Sequence, residues 1–81
     1  MIELTLLTKD GCHLCDELKA MIKRCQLTHT VSIKEINIAT RPDLEQRFGA
    51  EIPVLLRGTT VVARQRISET QLIAAATSQT I

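Results

Sequence analysis

The chain has 81 residues, of which 44% are hydrophobic and 23% charged, with ten basic against nine acidic side chains. This length and balance predict one folded domain, residues 1–81, with a core of moderate size. The near-neutral charge and the single aromatic residue, Phe48, offer neither the positive field nor the stacking surface that binds nucleic acid. We also expect no membrane partner and a cytoplasmic protein, because no basic-then-apolar leader and no apolar run of about 18 residues occur.

The first two predicted elements are a strand and a helix. Residues 1–7 are rich in Ile and Leu and end at a polar turn that contains Gly11, which predicts a strand. Over residues 14–25 the apolar side chains recur at i, i+4, i+7, i+8 and i+11, the spacing of one buried helical face. Acidic side chains in the first turn of this helix and basic ones toward its end match the helix dipole.

The middle of the chain predicts a second strand and a short second helix. The strand begins at Val31, and its apolar side changes near Ile36, so we expect both of its faces to be partly covered. The segment Thr40-Arg41-Pro42-Asp43 has the pattern of a helix start, with Thr40 as the capping residue and the proline in the first turn.

The last third of the chain predicts a hairpin and a third helix. Residues 52–56 and 60–63 flank Arg57-Gly58-Thr59 and have the character of two strands joined by a tight turn. The segment Ser68-Glu69-Thr70-Gln71 is a capping box that begins the last helix. Sequential βαβ units have parallel strands, whereas a hairpin is antiparallel. The order βαβαββα therefore predicts an α/β fold with a mixed four-stranded sheet flanked by three helices.

The motif Cys12-His13-Leu14-Cys15 joins the first strand to the first helix. A helix N-terminus stabilises negative charge through its unpaired N–H groups and its dipole, so a thiol placed there can become a reactive thiolate. Two cysteines three residues apart on a first helical turn also lie within the Cα separation of a disulfide, about 4.4–6.8 Å. The motif lies beyond the carboxyl end of the first strand, where open α/β sheets place their sites. It predicts a reversible redox pair.

Two other interpretations of the cysteines remain, namely inert half-buried thiols and a zinc site. Together with Cys25 and His29, the motif imitates the spacing of four zinc ligands. Cys25 lies about 15 Å along the helix from Cys15, at about 1.5 Å per residue, and zinc–sulfur bonds of about 2.3 Å do not bridge that distance. We therefore expect no metal. We also expect Cys12 and Cys15 to form the disulfide and Cys25, on the apolar helix face, to stay reduced.

With these features the chain resembles the thioredoxin fold and, more narrowly, the small glutaredoxin-like proteins. The resemblance rests on the early strand, the segment 9–15, the element order, and Glu51-Ile52-Pro53 at the start of the third strand, and it covers nearly the whole chain. It implies thiol–disulfide exchange. Cys12 matches the exposed nucleophile of the family, and Cys15 matches its resolving thiol.

The resemblance also implies residues that bind the substrate. Ile52-Pro53 matches a dipeptide whose proline is cis and packs beside the active site, so that the backbone of Ile52 pairs with an extended substrate or thiol ligand. Lys9 matches the lysine that binds the glutathione carboxylate, and Arg47 is a looser match to a basic position that faces glutathione. His13 lies beside the nucleophile, where a protonated imidazole would stabilise the thiolate.

The chain departs from the glutaredoxin pattern at two places. Leu7 and Thr8 stand where glutaredoxins often have a tyrosine, and no tryptophan precedes the motif as it does in thioredoxins. The Gly-Gly-x-Asp stretch that holds the γ-glutamyl group of glutathione is replaced by residues 63–68. The first departure leaves the fold prediction intact, and the second bears directly on the use of glutathione.

The leading hypothesis is a monomeric thiol–disulfide oxidoreductase that acts on a disulfide-containing protein or a small thiol substrate. It needs no metal and no bound cofactor, and its electrons come from glutathione or from a thioredoxin reductase. A reductase of one dedicated protein partner is a narrower form of this hypothesis. The competing hypothesis is a binding or adaptor module of the same fold, or a thiolate carrier of a metal or an iron–sulfur cluster, without general reductase turnover.

Overall fold

The secondary structure follows the predicted order, with small shifts at the ends of the elements. The computed structural model describes residues 2–25 and 31–76, and in chain order its elements are β1 (Ile2–Thr8), α1 (His13–Arg24), β2 (Val31–Asn37), α2 (Pro42–Phe48), β3 (Val54–Arg57), β4 (Thr60–Arg64) and α3 (Glu69–Ala76). His29 and the last residues of the predicted 1–81 domain lie outside the described residues.

The sheet is mixed and four-stranded, as predicted, with the strand order β2-β1-β3-β4. β1 runs parallel to β2 and antiparallel to β3, and β3 and β4 form the antiparallel hairpin. Leu7 in β1 pairs with Val54 in β3, and Val54 pairs in turn with Arg64 in β4. The segment after β1, the segment before β3 and the segment after β4 therefore meet at one edge of the sheet, and this edge carries the Cys12–Cys15 motif.

Two hydrophobic clusters cover the two faces of the sheet. Strand side chains alternate between the faces. In the first cluster Leu4 and Leu6 pack with α1 and α3, and in the second cluster Leu7 packs with α2. In β2, Ile33 packs against the first cluster and Ile36 against the second, which confirms the predicted change of apolar side. The helices thus lie on both faces of the sheet.

The start of α2 differs from its prediction. Thr40 belongs to a short 3₁₀ turn, Ile38–Thr40, and α2 follows Arg41 with no side-chain cap. Asn37 takes the capping position of the turn instead, because its Oδ1 accepts the Ala39 N–H at 3.0 Å. The Thr40 hydroxyl donates to the Asn37 carbonyl at 3.2 Å, so the prediction that Thr40 caps α2 was wrong.

The start of α3 agrees with its prediction. The Gln71 N–H donates to the Ser68 hydroxyl at 3.1 Å, and the Ser68 N–H donates to the Gln71 side-chain oxygen at 2.9 Å. These two reciprocal bonds satisfy donors that the first helical turn leaves unpaired. The three helices have 12, 7 and 8 residues, and no described helix has the length and apolar character needed to cross a membrane.

Candidate active site

Cys12 and Cys15 form a disulfide at the start of α1, with their Cα atoms 5.2 Å apart. Cys12 is the residue before the helix, and its Sγ accepts the Cys15 N–H at 3.1 Å, in the manner of an N-cap side chain. The Cys12 sulfur therefore lies at the positive end of the α1 dipole and in contact with one of the free N–H donors of the first turn. Cys25 is a free thiol that packs against the first hydrophobic cluster, so the predicted pairing is confirmed.

The two sulfur-bearing residues differ in exposure. Cys15 is 1% exposed and Cys12 is half-buried, because Cys15 shares the helix face of Leu18 and Ile22 while Cys12 precedes the helix. A solvent-borne disulfide can thus approach the Cys12 sulfur more easily than the Cys15 sulfur. This asymmetry suits a nucleophile and a shielded resolving thiol, which are the roles predicted for the two residues.

A tight turn connects the end of β1 to Cys12, the residue before α1. The Cys12 N–H donates to the Lys9 carbonyl at 3.3 Å, and Gly11 has a φ of 77°. A positive φ at the third position of such a turn strongly favours glycine, since other side chains are strained there. Lys9 and Cys12 are the two ends of this turn, which keeps their Cα atoms within about 7 Å of each other.

The segment before β3 lies at the same edge of the sheet as this turn. The Ile52–Pro53 peptide bond is cis, as the resemblance implies, and Pro53 is fully buried while Ile52 is half-buried. Val54, the next residue, pairs with Leu7 near the end of β1. Ile52 and Pro53 therefore lie at the same end of the sheet as the Cys12–Cys15 motif, and their contact with a substrate stays a prediction.

Residues at the end of β4 hold this segment in place. The Gln65 N–H donates to the carbonyls of Pro53 at 2.8 Å and of Glu51 at 3.2 Å, and the Gln65 amide donates to the Ala50 carbonyl at 3.3 Å. Arg64 Nη1 reaches both carboxylate oxygens of Glu51, at 3.1 and 3.2 Å. Gln65 itself has a φ of 60°, which a residue with a side chain adopts only at a cost. None of these supporting contacts was predicted from the sequence.

Lys9 is engaged by a carboxylate from α2. Its Nζ lies 2.6 Å from Glu45 Oε1, and the two side chains are 39% and 38% exposed. The other oxygen of Glu45 is buried and has no hydrogen-bond partner among the described residues. Glu45 did not appear among the predicted site residues.

The two other basic residues of the predicted site also have neighbours of their own. His13 Nε2 lies 2.8 Å from Glu17 Oε2, one helical turn further along α1, and the His13 side chain is 87% exposed. The Arg47 guanidinium lies over the Phe48 ring, 5.0 Å from its centroid. Neither observation tests the predicted roles of His13 and Arg47.

Comparison with known proteins identifies the family. A family model of the glutaredoxin-like domain (DUF836) matches residues 3–76. The chain belongs to the glutaredoxin-like family. A comparison with curated protein sequences gives no significant match.

Solved structures support the thioredoxin-like fold of this glutaredoxin-like protein. A structural-genomics target protein from X. campestris is 25% identical, with a TM-score of 0.72, over 88% of this chain and 91% of that one. Thioredoxin-2 of the malaria parasite is 18% identical, with a TM-score of 0.63, over 91% of this chain and 79% of that one. A mutant thioredoxin from Halobacterium salinarum is 18% identical, with a TM-score of 0.60, over 88% and 67%. The last two likenesses concern the fold alone.

A polar network lies beneath α1 in the glutaredoxin-like protein. Thr8, at the end of β1 and 2% exposed, donates its hydroxyl to Glu35 Oε2 at 2.7 Å, and Lys19 Nζ lies 3.1 Å from the same oxygen. The hydrogen bond from Thr8, aided by Lys19, holds the pKa of Glu35 below its usual value despite partial burial. In return the hydrogen bond and charge of Glu35 raise the pKa of Lys19. Both groups are therefore charged at neutral pH, and α1 is tied to the sheet close to the disulfide.

The described residues of this glutaredoxin-like protein contain no group of three or more His, Cys, Asp or Glu side chains that could hold a metal ion. His29, the fourth member of the zinc-like spacing, lies outside them. What the site brings together is an oxidisable dithiol, a helix N-terminus and the supported segment before β3.

Proposed function

We propose that this glutaredoxin-like protein is a thiol–disulfide oxidoreductase of the cytoplasm, a compartment that keeps thiols reduced. The observation that carries the proposal is the Cys12–Cys15 disulfide at the start of α1, with Cys12 half-exposed and Cys15 buried. A structural disulfide would not need an approachable sulfur capped by a helix N–H. The family membership supports the same class of chemistry.

In the reductive direction the reduced dithiol transfers two electrons to the substrate. The Cys12 thiolate attacks one sulfur of a substrate disulfide, forms a mixed disulfide, and releases the other substrate sulfur as a thiolate that takes up a proton. Cys15 then loses its proton and attacks Cys12 Sγ. The second substrate sulfur leaves, and the Cys12–Cys15 disulfide is formed. A two-electron donor, such as a pair of glutathione molecules or a thioredoxin reductase, restores the dithiol.

The start of α1 activates the nucleophile. The Cys15 N–H and the helix dipole stabilise a charge on Cys12 Sγ, which favours the thiolate. Asp16 and Glu17 in the first two turns oppose this effect by like charge. We therefore expect the pKa of the reduced Cys12 thiol to be lowered only moderately.

The substrate is a protein disulfide or a small thiol compound, and the protein acts as a monomer without metal or bound cofactor. The backbone of Ile52 pairs with the substrate chain next to its reacting sulfur, and Pro53 packs beside it. The support from Gln65 and Arg64 keeps this segment in a single arrangement, which lowers the entropic cost of binding.

A disulfide-reduction assay tests the proposal. Wild-type protein is given a general disulfide and NADPH, in one arm with glutathione and glutathione reductase and in the other with thioredoxin reductase. Exchange should occur in wild type and disappear in Cys12→Ser. Cys15→Ser should still form the mixed disulfide and should lose turnover wherever release depends on the second thiol. The matched control is Cys25→Ser, which removes a thiol outside the pair and should retain activity.

A binding module of the same fold is the second candidate. Two observations favour it: residues 63–68 replace the glutathione stretch, and Lys9 is occupied by Glu45. As an adaptor, or as a thiolate carrier of a metal or an iron–sulfur cluster, the protein would show no turnover in either assay arm. Capture of one protein by Cys15→Ser without general turnover would instead indicate a reductase of a dedicated partner.

A further inference from the structure

The ion pair between Lys9 and Glu45 bears on which substrates reach Cys12. Lys9 closes the turn that ends at Cys12 and is the lysine nearest in sequence to the nucleophile. Glu45 Oε1 lies 2.6 Å from this cation, within the range of a charge-assisted hydrogen bond. The pair forms because β1 and β2 are parallel and end at the same edge, which brings α2 next to the turn.

The charged side chains in the segment that carries the motif are mainly acidic. Residues 9–17 contain one lysine against three carboxylates, Asp10, Asp16 and Glu17. The next lysine, Lys19, lies 3.1 Å from Glu35 and 3.8 Å from Asp16, so it too is balanced internally. With Lys9 held by Glu45, the segment 9–17 offers an anionic substrate three carboxylates and no lysine without a partner.

Displacing Glu45 from Lys9 would also cost free energy. One oxygen of Glu45 is buried and has no hydrogen-bond partner among residues 2–25 and 31–76, so Lys9 is the group that balances this carboxylate. A substrate carboxylate that took Lys9 would leave the Glu45 carboxylate, one oxygen of which is buried, without its cation; at 38% exposure solvent screens part of this cost. Discrimination of this kind works by penalising the wrong ligand.

We propose that Glu45 is a specificity-determining residue that disfavours anionic small thiols and disulfides at Cys12. The substrates of the site are then polypeptide disulfides whose reacting sulfur has neutral or basic neighbours. This inference rests on the proposed function, because it concerns the disulfides that Cys12 attacks.

Alkylation with a charged and an uncharged reagent measures the effect at Cys12 itself. Iodoacetate and iodoacetamide react with the same thiolate and differ in one negative charge, so the ratio of their limiting rate constants cancels any change in thiol reactivity. The reduced protein is used with Cys25→Ser as background. Glu45→Gln should raise the iodoacetate-to-iodoacetamide ratio by about threefold, since it frees one positive charge near the sulfur.

Two further variants decide whether Lys9 is responsible for the higher iodoacetate-to-iodoacetamide ratio. Asp43→Asn removes a negative charge from the same helix, two residues before Glu45, and should leave the ratio unchanged. Adding Lys9→Gln to Glu45→Gln should cancel the gain. An unchanged ratio in Glu45→Gln, an equal gain in Asp43→Asn, or a gain that persists without Lys9 would overturn the proposal.

A second arm separates this inference from the proposed function. Exchange rates are measured with hydroxyethyl disulfide, which is neutral, and with dithiodipropionate, which carries two carboxylates. Wild type should prefer the neutral disulfide, and Glu45→Gln should narrow the preference. If wild type exchanges both equally and Glu45→Gln changes nothing, the role of Glu45 fails while the exchange activity stands. If wild type attacks neither, the exchange activity fails and substrate selection by Glu45 fails with it, whatever the alkylation ratio shows about Lys9.

Discussion

Replacement of Thr8 by valine should destabilise the fold by removing the hydrogen bond that anchors Glu35 beneath α1. Thr8 is 2% exposed and donates at 2.7 Å, and valine has nearly the same shape, so the change deletes a donor without opening a cavity. A hydrogen bond to a charged group contributes about 1.5–3 kcal/mol. The Glu35 side chain is 43% exposed, so water replaces part of the lost bond, and we expect a loss of about 1–2 kcal/mol.

The loss should depend on pH in a defined direction. The Thr8 hydrogen bond lowers the pKa of Glu35 in the fold, so its contribution is fully present above the ordinary glutamate pKa. It is lost as the pH falls through the lowered folded-state value, because both states then bind the proton. The difference in free energy of unfolding between wild type and Thr8→Val should be constant near neutrality and should shrink below about pH 4.

Urea denaturation across this pH range measures the effect, and thermal melting should show a decrease in Tm of about 4–15 °C at neutral pH. Thr5→Val is the matched control, since Thr5 lies on the opposite face of the same strand and is half-exposed. An equal loss in both variants, or a loss in Thr8→Val that does not change with pH, would refute the role assigned to the Glu35 hydrogen bond.

Two further predictions concern the site. At neutral pH, iodoacetamide should modify Cys12 of the reduced protein well before Cys15, because Cys15 is 1% exposed. Mass spectrometry of digests taken over time measures the order of modification. Faster modification of Cys15 would reverse the proposed roles of the two cysteines. Gln65→Ala should lower the free energy of unfolding by about 0.5–1.5 kcal/mol, because the hydrogen bond to the Ala50 carbonyl is lost. Gln65→Gly should be nearly neutral, because glycine removes the backbone strain at φ 60° and this offsets the lost bond. Equal effects of the two variants in urea denaturation would contradict this account.

Local patterns predicted most of the fold. The apolar period of residues 14–25 identified α1, and the capping box at Ser68 identified the start of α3, because both signals depend on residues within one or two turns of each other. For α2 the prediction was right that Pro42 lies in the first turn and wrong about the Thr40 cap. Asn37 begins a 3₁₀ turn that consumes Thr40, and nothing in the tetrad beginning at Thr40 announces this.

The support of the site was beyond the reach of the sequence. The Lys9–Glu45 pair joins residues 36 apart, and the bond from Thr8 to Glu35 joins residues 27 apart. Such contacts depend on the register of β1 with β2 and on the placement of α2, which no local period encodes. The dithiol was found because its two members lie on one helical turn.

The sulfur of Cys12 is the acceptor that caps α1 and, in the proposed mechanism, also the reacting atom. A thiolate accepts a hydrogen bond more strongly than a neutral disulfide sulfur, because charge-assisted bonds are roughly twice as strong. Reduction therefore tightens the first turn of the helix, and by linkage the same free energy favours the dithiol. For a two-electron couple about 1.4 kcal/mol corresponds to about 30 mV, so a difference of about 1 kcal/mol in the cap raises the reduction potential by about 20 mV. Substitutions in the first turn that leave both cysteines in place should thus change the reduction potential of the Cys12–Cys15 pair.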